Sequence, residues 1–173
     1  MDVNLDLKKL DKLTKKIKDD LGKHYAKVGV LSAKNNRDND DDSGMTNAKL
    51  AAVHECGSLD GRIPERSFLR LTAEMRGDEM SDFISSNEKA IIEKVMKGKI
   101  KDVYNQLGAK WQEYIGECFE TEGFGKWPEI ADSTYWMKRE RFDEMYPNSK
   151  KEFNPKILQD TGQLERSIMY EVV

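Results

Sequence analysis

The chain is poor in the residues that usually announce reactive chemistry or covalent stapling. It holds two histidines, two cysteines and four prolines in 173 residues. Cys56 and Cys118 are far apart and lie among helix-forming and apolar neighbours, so two buried thiols acting as small hydrophobes are expected, not a disulfide or a metal pair. No stretch approaches the roughly 18 uninterrupted apolar residues that a membrane span requires. The opening "MDVNLDLKKLDKL" lacks the apolar core and small-residue cleavage site of a signal peptide, which predicts a soluble protein made in a cytoplasm. Neither sign of charge prevails: 29 Lys and Arg stand against 32 Asp and Glu, for a net charge of −3. That balance excludes a broad basic coat and argues against a dedicated nucleic-acid binder.

What is present suits one domain spanning 1–173, since domains commonly run to about 100–200 residues. Hydrophobic residues make up 38% and charged residues 35%, a well-solvated composition that serves solubility or polar contacts between subunits. Leu7, Leu10, Leu13, Ile17 and Leu21 recur at helical spacing, predicting an amphipathic N-terminal helix within 1–22, from about residue 4 to 20, with Gly22 as its stop. "HYAKVGVLSA" reads as a strand. The acidic stretch within 33–45 reads as a long mobile loop. Thr46 caps a helix that Gly57 ends, and Gly61 and Pro64 punctuate the extended "SLDGRIPERSF".

From about 67 to 97 the pattern is helical, with Gly77 and residues 85–87 as places where it can break. A helix over about 99–121 follows, its apolar stripe continuous from Ile100 to Phe119, with Gly108 permitting close approach of a neighbour. "EGFGKWPEI" is a loop with exposed-looking aromatics. Ser133 or Thr134 caps the helix "YWMKRERFDEM", and Thr161 caps a last helical turn. Ile168, Tyr170 and Val172 alternate with Met169 and Glu171, placing three apolar side chains on one strand face. The fold class is therefore α+β: a small, mostly antiparallel sheet including strands 25–31 and 167–173, packed by long helices. Two strands alone are marginal, so additional pairing from the acidic stretch or another chain is open.

Several fragments resemble reactive sites and fall short. Asn39, Asp41, Ser43 and Gly44 fill four positions of a calcium loop, but Leu50 stands where a bidentate Glu is required. "HEC" at 54–56 sets three zinc-ligand types side by side, whereas helices present ligands four residues apart. No Gly-x-Ser-x-Gly elbow and no Gly-rich loop with Lys occurs, and the glycines of "EGFGKW" are weak support for phosphate binding. The expectation is a protein without cofactor, metal or catalytic residue.

Two longer stretches are more specific: "TNAKLAAVHECGSLDGRIPERSFLR" at 46–70, and "STYWMKRE" at 133–140 followed by "ILQDTGQLERSIMYEV" at 157–172. With "KVGVL" at 27–31 they resemble the tail-completion and virion-morphogenesis proteins of tailed bacteriophages, the family of the Mu-like virion morphogenesis protein and related neck proteins. The shared pattern is a Val-Gly-Val strand, an Ala-rich helix ending His-Glu-x-Gly, an Ile-Pro-x-Arg-x-Phe segment, long helices, and a Leu-x-Asp-Thr-Gly-x-Leu-x-x-Ser-Ile ending. It covers residues 27 to 173 in order. Cys56 stands where an aromatic or aliphatic residue is usual, and Ser67 replaces a common second proline.

The resemblance implies a non-enzymatic virion protein of the head–tail junction, assembled in the host cytoplasm. It would form a homo-oligomeric, sixfold ring between connector or head-closure proteins and tail-terminator or tail-tube proteins. DNA would pass through the ring without sequence-specific contact. Candidate subunit-interface residues are Ile63, Pro64, Arg66, Phe68, Trp127, Ile168 and Tyr170, of types and positions suited to an arm or strand lying on a neighbour. An alternative for the 61–68 segment is an intrachain crossover that packs Phe68 into its own core, and the last strand can complete a sheet within or between subunits. The composition predicts a free protein that is monomeric or weakly associated and becomes a ring on its partner. The competing function is a DNA-binding accessory of phage assembly, using the lysines at 8, 9, 12, 15, 16 and 18, although aspartates interleave with them.

Overall fold

The computed structural model describes residues 7–37, 44–147, 150, 152–159 and 162–173, with the side chains of 7–10 excepted. Residues 38–43 of the 33–45 acidic stretch and the expected cap Thr161 lie outside the described residues. In chain order the elements are α1 (Leu7–Leu21), β1 (Ala26–Val30), α2 (Asn47–Cys56), α3 (Arg70–Ser86), α4 (Glu88–Met96), α5 (Ile100–Glu120), α6 (Asp132–Met145), α7 (Gln163–Ser167) and β2 (Ile168–Val172). The described chain is α+β, with helices packed around one small antiparallel sheet.

Helix α5 is the spine. Its apolar stripe buries Ile100, Val103, Tyr114, Ile115, Cys118 and Phe119, the spacing that a one-sided helix needs. β1 and β2 pair antiparallel with Ala26 opposite Val172 and Val30 opposite Ile168. Backbone bonds between Tyr25 and Val173 in both directions extend the pairing by one residue. The chain's last residue is thereby held from within the subunit, with His24 Nδ1 also 3.1 Å from the Val173 carbonyl.

The two strands lie on α5, which explains how so small a sheet persists: the helix covers a face that an isolated hairpin would leave wet. Ile168 is buried in the core and Gln112 Nε2 on α5 donates to its carbonyl at 3.1 Å. Gly108 is required where Tyr170 crosses. A β-carbon there would sit 2.7 Å from the Tyr170 ring, closer than packed atoms tolerate.

The 67–97 stretch breaks at Asn87, not at Gly77, which lies inside α3. The Asn87 side chain donates back to the Phe83 carbonyl, a local alternative to the helical ladder. Helix α6 begins at Asp132 after Ala131, which supplies no side-chain cap; the helix therefore starts ahead of the expected caps Ser133 and Thr134. The α7 N-cap is Gly162 at φ 69°.

Candidate functional site

The stretch 54–70, the most specific motif in the sequence, divides into a clasp and an arm. The clasp is built on Glu55, at the end of α2. Its carboxylate accepts from the backbone N–H groups of Phe68, Leu69 and Arg70 at 2.9–3.0 Å and from the Ser67 hydroxyl at 2.6 Å. These amides lead into the first turn of α3, where backbone donors have no partner within the helix. Glu55 is thus a cap supplied from another helix, with its charge at the positive end of the α3 dipole. Burial raises the Glu55 carboxyl, but the hydrogen bonds from Leu69, Ser67, Arg70 and Phe68 outweigh it and hold the group below its ordinary range.

Arg66 carries the clasp across to a distant loop. Its Nε donates to the Pro128 carbonyl at 3.0 Å and Nη2 to that of Glu129 at 2.7 Å, while its backbone N–H donates to the His54 carbonyl. Phe68 is fully buried, its ring 5.0 Å from that of Phe119, and Trp127 meets Phe119 edge-on at 5.6 Å. Trp127 Nε1–H donates to the Ser67 carbonyl at 2.9 Å. Gly123 makes room for the indole, since any side chain there would overlap it. The "EGFGKW" glycines therefore serve a tight return of chain over the end of α5.

The arm is the excursion between the ends of that clasp. Gly57 leaves α2 at φ 73°, where a β-carbon would lie 3.1 Å from both Glu65 N and the Ile63 carbonyl. Ser58 N–H donates to the Ile63 carbonyl, Ser58 Oγ to Asp60 Oδ1 at 2.6 Å, and Ile63 N–H to Ser58 Oγ at 2.8 Å. An Asp60–Arg62 ion pair closes the tip. The loop is internally fixed yet presents Leu59, wholly exposed, with Ile63 and Pro64 exposed beside it.

The seven candidate interface residues consequently separate. Ile63 and Pro64 stand on the surface and are available to a neighbour. Phe68, Trp127 and Ile168 are buried in the chain's own core and Arg66 is buried against the 128–129 carbonyls, so for them the interface expectation is corrected. The intrachain crossover is the reading that the 66–68 packing realises. Tyr170 is half-buried against α5. Trp127 is not the exposed aromatic that its loop suggested. Cys56 is exposed, correcting the expectation of two buried thiols, whereas Cys118 is buried and its thiol pushed up to about 11, chiefly by that burial.

Between arm, clasp and α6 lies a hollow of about 510 Å³, open to solvent. Leu50, Ile63, Ile130, Leu158 and Leu164 give it apolar walls, and Arg37, Arg62, Arg66 and Lys138 reach it, with Glu129 the acidic residue on its lining among the described residues. His54 also lines it. Burial, then the charges of Arg66 and Arg37, lower the His54 imidazole to about 4, so it is neutral at ordinary pH. His54, Glu55 and Cys56 do not converge as a zinc site, because the Glu55 carboxylate is engaged with the start of α3.

A second apolar surface runs along α6. Tyr135 and Phe142 contact Phe153 with ring centroids 5.3 and 5.4 Å apart, while Trp136, Met137 and Met145 remain exposed. Sequence reasoning did not find this surface, and it met Glu55 only within His-Glu-Cys and the His-Glu-x-Gly motif, not as a helix cap. The 3.6-residue period of α6 is weak, and a carboxylate capping a helix fifteen residues onward leaves no local spacing signal. Among the described residues no helix is long and apolar enough to cross a membrane. No protein-family model matches the chain, and neither the curated proteins nor the solved structures contain a match.

Proposed function

We propose that the chain is a structural protein of a tailed phage's head–tail junction, which associates into a ring and closes or joins the tail end for attachment to the filled head. The observation that supports this reading is the arm at 58–64. A loop that is fixed at its base, cross-braced inside and tipped with the wholly exposed Leu59 has already lost the conformational freedom that docking would otherwise cost. An apolar protrusion that docks on a different surface of its neighbour makes a heterologous contact, the kind that closes into rings. The ordered motifs over 27–172 supply the phage context for that contact.

The test is to mix purified protein with phage tails that lack a completed end, then examine them by sedimentation and electron microscopy. The reading expects co-sedimentation and an added ring-shaped layer at one tail end, lost in Leu59→Asp. Salt-sensitive binding to DNA, with no association with tails, would instead favour the DNA-binding accessory.

A further inference from the structure

The hollow contains a charge problem that the described residues do not solve by themselves. Arg66 is 8% exposed. Among the described residues its guanidinium donates to two backbone carbonyls and pairs with no carboxylate. A buried cation without a counter-charge is costly, and carbonyl dipoles offset only part of that cost. Beside it, His54 Nδ1 is buried without a hydrogen-bond partner among the described residues. Apolar side chains make up about half of the remaining lining, with Leu50, Ile63 and Leu158 on the walls.

We infer that this hollow binds a carboxylate carried on an aliphatic body: an aspartate or glutamate between apolar residues, on a peptide segment of a second protein. Arg66 Nε and Nη2 are committed to the Pro128 and Glu129 carbonyls, which leaves Nη1 as the guanidinium nitrogen for a ligand. Nη1 supplies a charge-assisted bond to one carboxylate oxygen, and the adjoining His54 imidazole has its Nδ1 without a partner among the described residues. The aliphatic walls suit the flanking side chains, which a bare phosphate lacks. One wall is the exposed arm, which favours a ligand arriving on another polypeptide. The inference rests on the hollow and holds whether or not that polypeptide belongs to a phage tail.

The experiment is NMR titration of isotope-labelled protein with the capped peptide Ac-Val-Leu-Asp-Leu-Val-NH2 and its Asn counterpart. Isocaproate, inorganic phosphate and a short DNA duplex are run as separate arms. The expected result is saturable shifts at His54, Leu50 and Leu158, with the Asp peptide about tenfold tighter than the Asn peptide, as one charge-assisted hydrogen bond would give. Thr134→Glu, which supplies a carboxylate from the hollow's own wall, should abolish binding while leaving the rest of the spectrum in place. Arg66→Gln should weaken it, with thermal melting as the check on folding. Equal affinity for the Asp and Asn peptides, or no saturable binding by either, overturns the proposal. So does isocaproate binding as tightly as the peptide, which would assign a free organic acid, or displacement of the peptide by phosphate or DNA, which would assign a general anion site.

Discussion

Two aromatic groups in this molecule have similar composition and opposite fates. Phe68, Phe119 and Trp127 are sealed: Phe68 and Phe119 are fully buried and the Trp127 N–H is spent on the Ser67 carbonyl. Tyr135 and Phe142 both contact Phe153, but each of the three is only half-buried and Trp136 stands 66% exposed beside Tyr135. The sealed group is gathered from three parts of the chain and closed by the Glu55 and Arg66 clasp. The open group joins α6 to Phe153 in the following loop. Aromatic residues alone do not make a core; backbone groups that close over them do. An apolar group left open by the subunit is where another chain can add burial.

Truncation should separate the two groups most sharply. Phe119→Ala should cost about 3–5 kcal/mol, the usual loss for a buried Phe, measured by urea unfolding. Phe153→Ala should cost well under half of that by the same measurement, because its ring is already partly solvated.

Gly108→Ala tests the second seal, the contact of α5 with β2. The new methyl would meet the Tyr170 ring, and overpacking of this kind costs about 1–3 kcal/mol. A variant as stable as the parent would mean that β2 can move away from α5 without penalty. Glu55→Gln should cost about 1–3 kcal/mol through the loss of charge-assisted bonds to the α3 amides.

Acid should loosen the clasp side first. The His54 imidazole is neutral in the folded chain down to about 4 but protonates near 6.5 when unfolded. Between those values the unfolded state binds more protons, so stability falls as pH drops through this window, by at most about 3 kcal/mol before solvent screening. Glu55 adds in the same direction lower down: its carboxyl is held below 4.5, and the stability it supplies is lost as pH falls through that depressed value. Unfolding free energies measured from pH 7 to 4 should decline in the parent and decline less in His54→Gln. The smallest effect belongs to the open group: Trp136→Ser should change stability by no more than about 0.5 kcal/mol, as at other exposed sites.

Periodicity and local caps in the sequence were enough to locate much of this fold. The α5 stripe, the role of Gly108, the Thr46 cap, whose side chain accepts from Lys49 N–H, and the pairing of the last strand with the first all follow from spacing and turn chemistry. What spacing could not reveal depends on distant partners. Trp127 looked exposed because its loop is polar and glycine-rich, yet its burial depends on Gly123 beneath it and Ser67 sixty residues earlier. Arg66 and Phe68 read equally well as interface anchors or core residues, because both roles select the same residue types. Cys56 looked buried because it ends an Ala-rich helix, but it is exposed there. Of the candidate assembly surface, the rigidity that Gly61 and Pro64 announced is present, with Ser58 and Asp60 bracing it.

The most direct test of the assembly reading is native mass spectrometry of the purified protein alone and after incubation with tail tubes, for the parent and for Leu59→Asp. The account predicts a monomer or weak oligomer alone, a single closed stoichiometry on the tubes, and loss of that species in a Leu59→Asp protein that melts like the parent. A parent that stays monomeric in the presence of every tail end, or a Leu59→Asp variant that assembles as well as the parent, would contradict it.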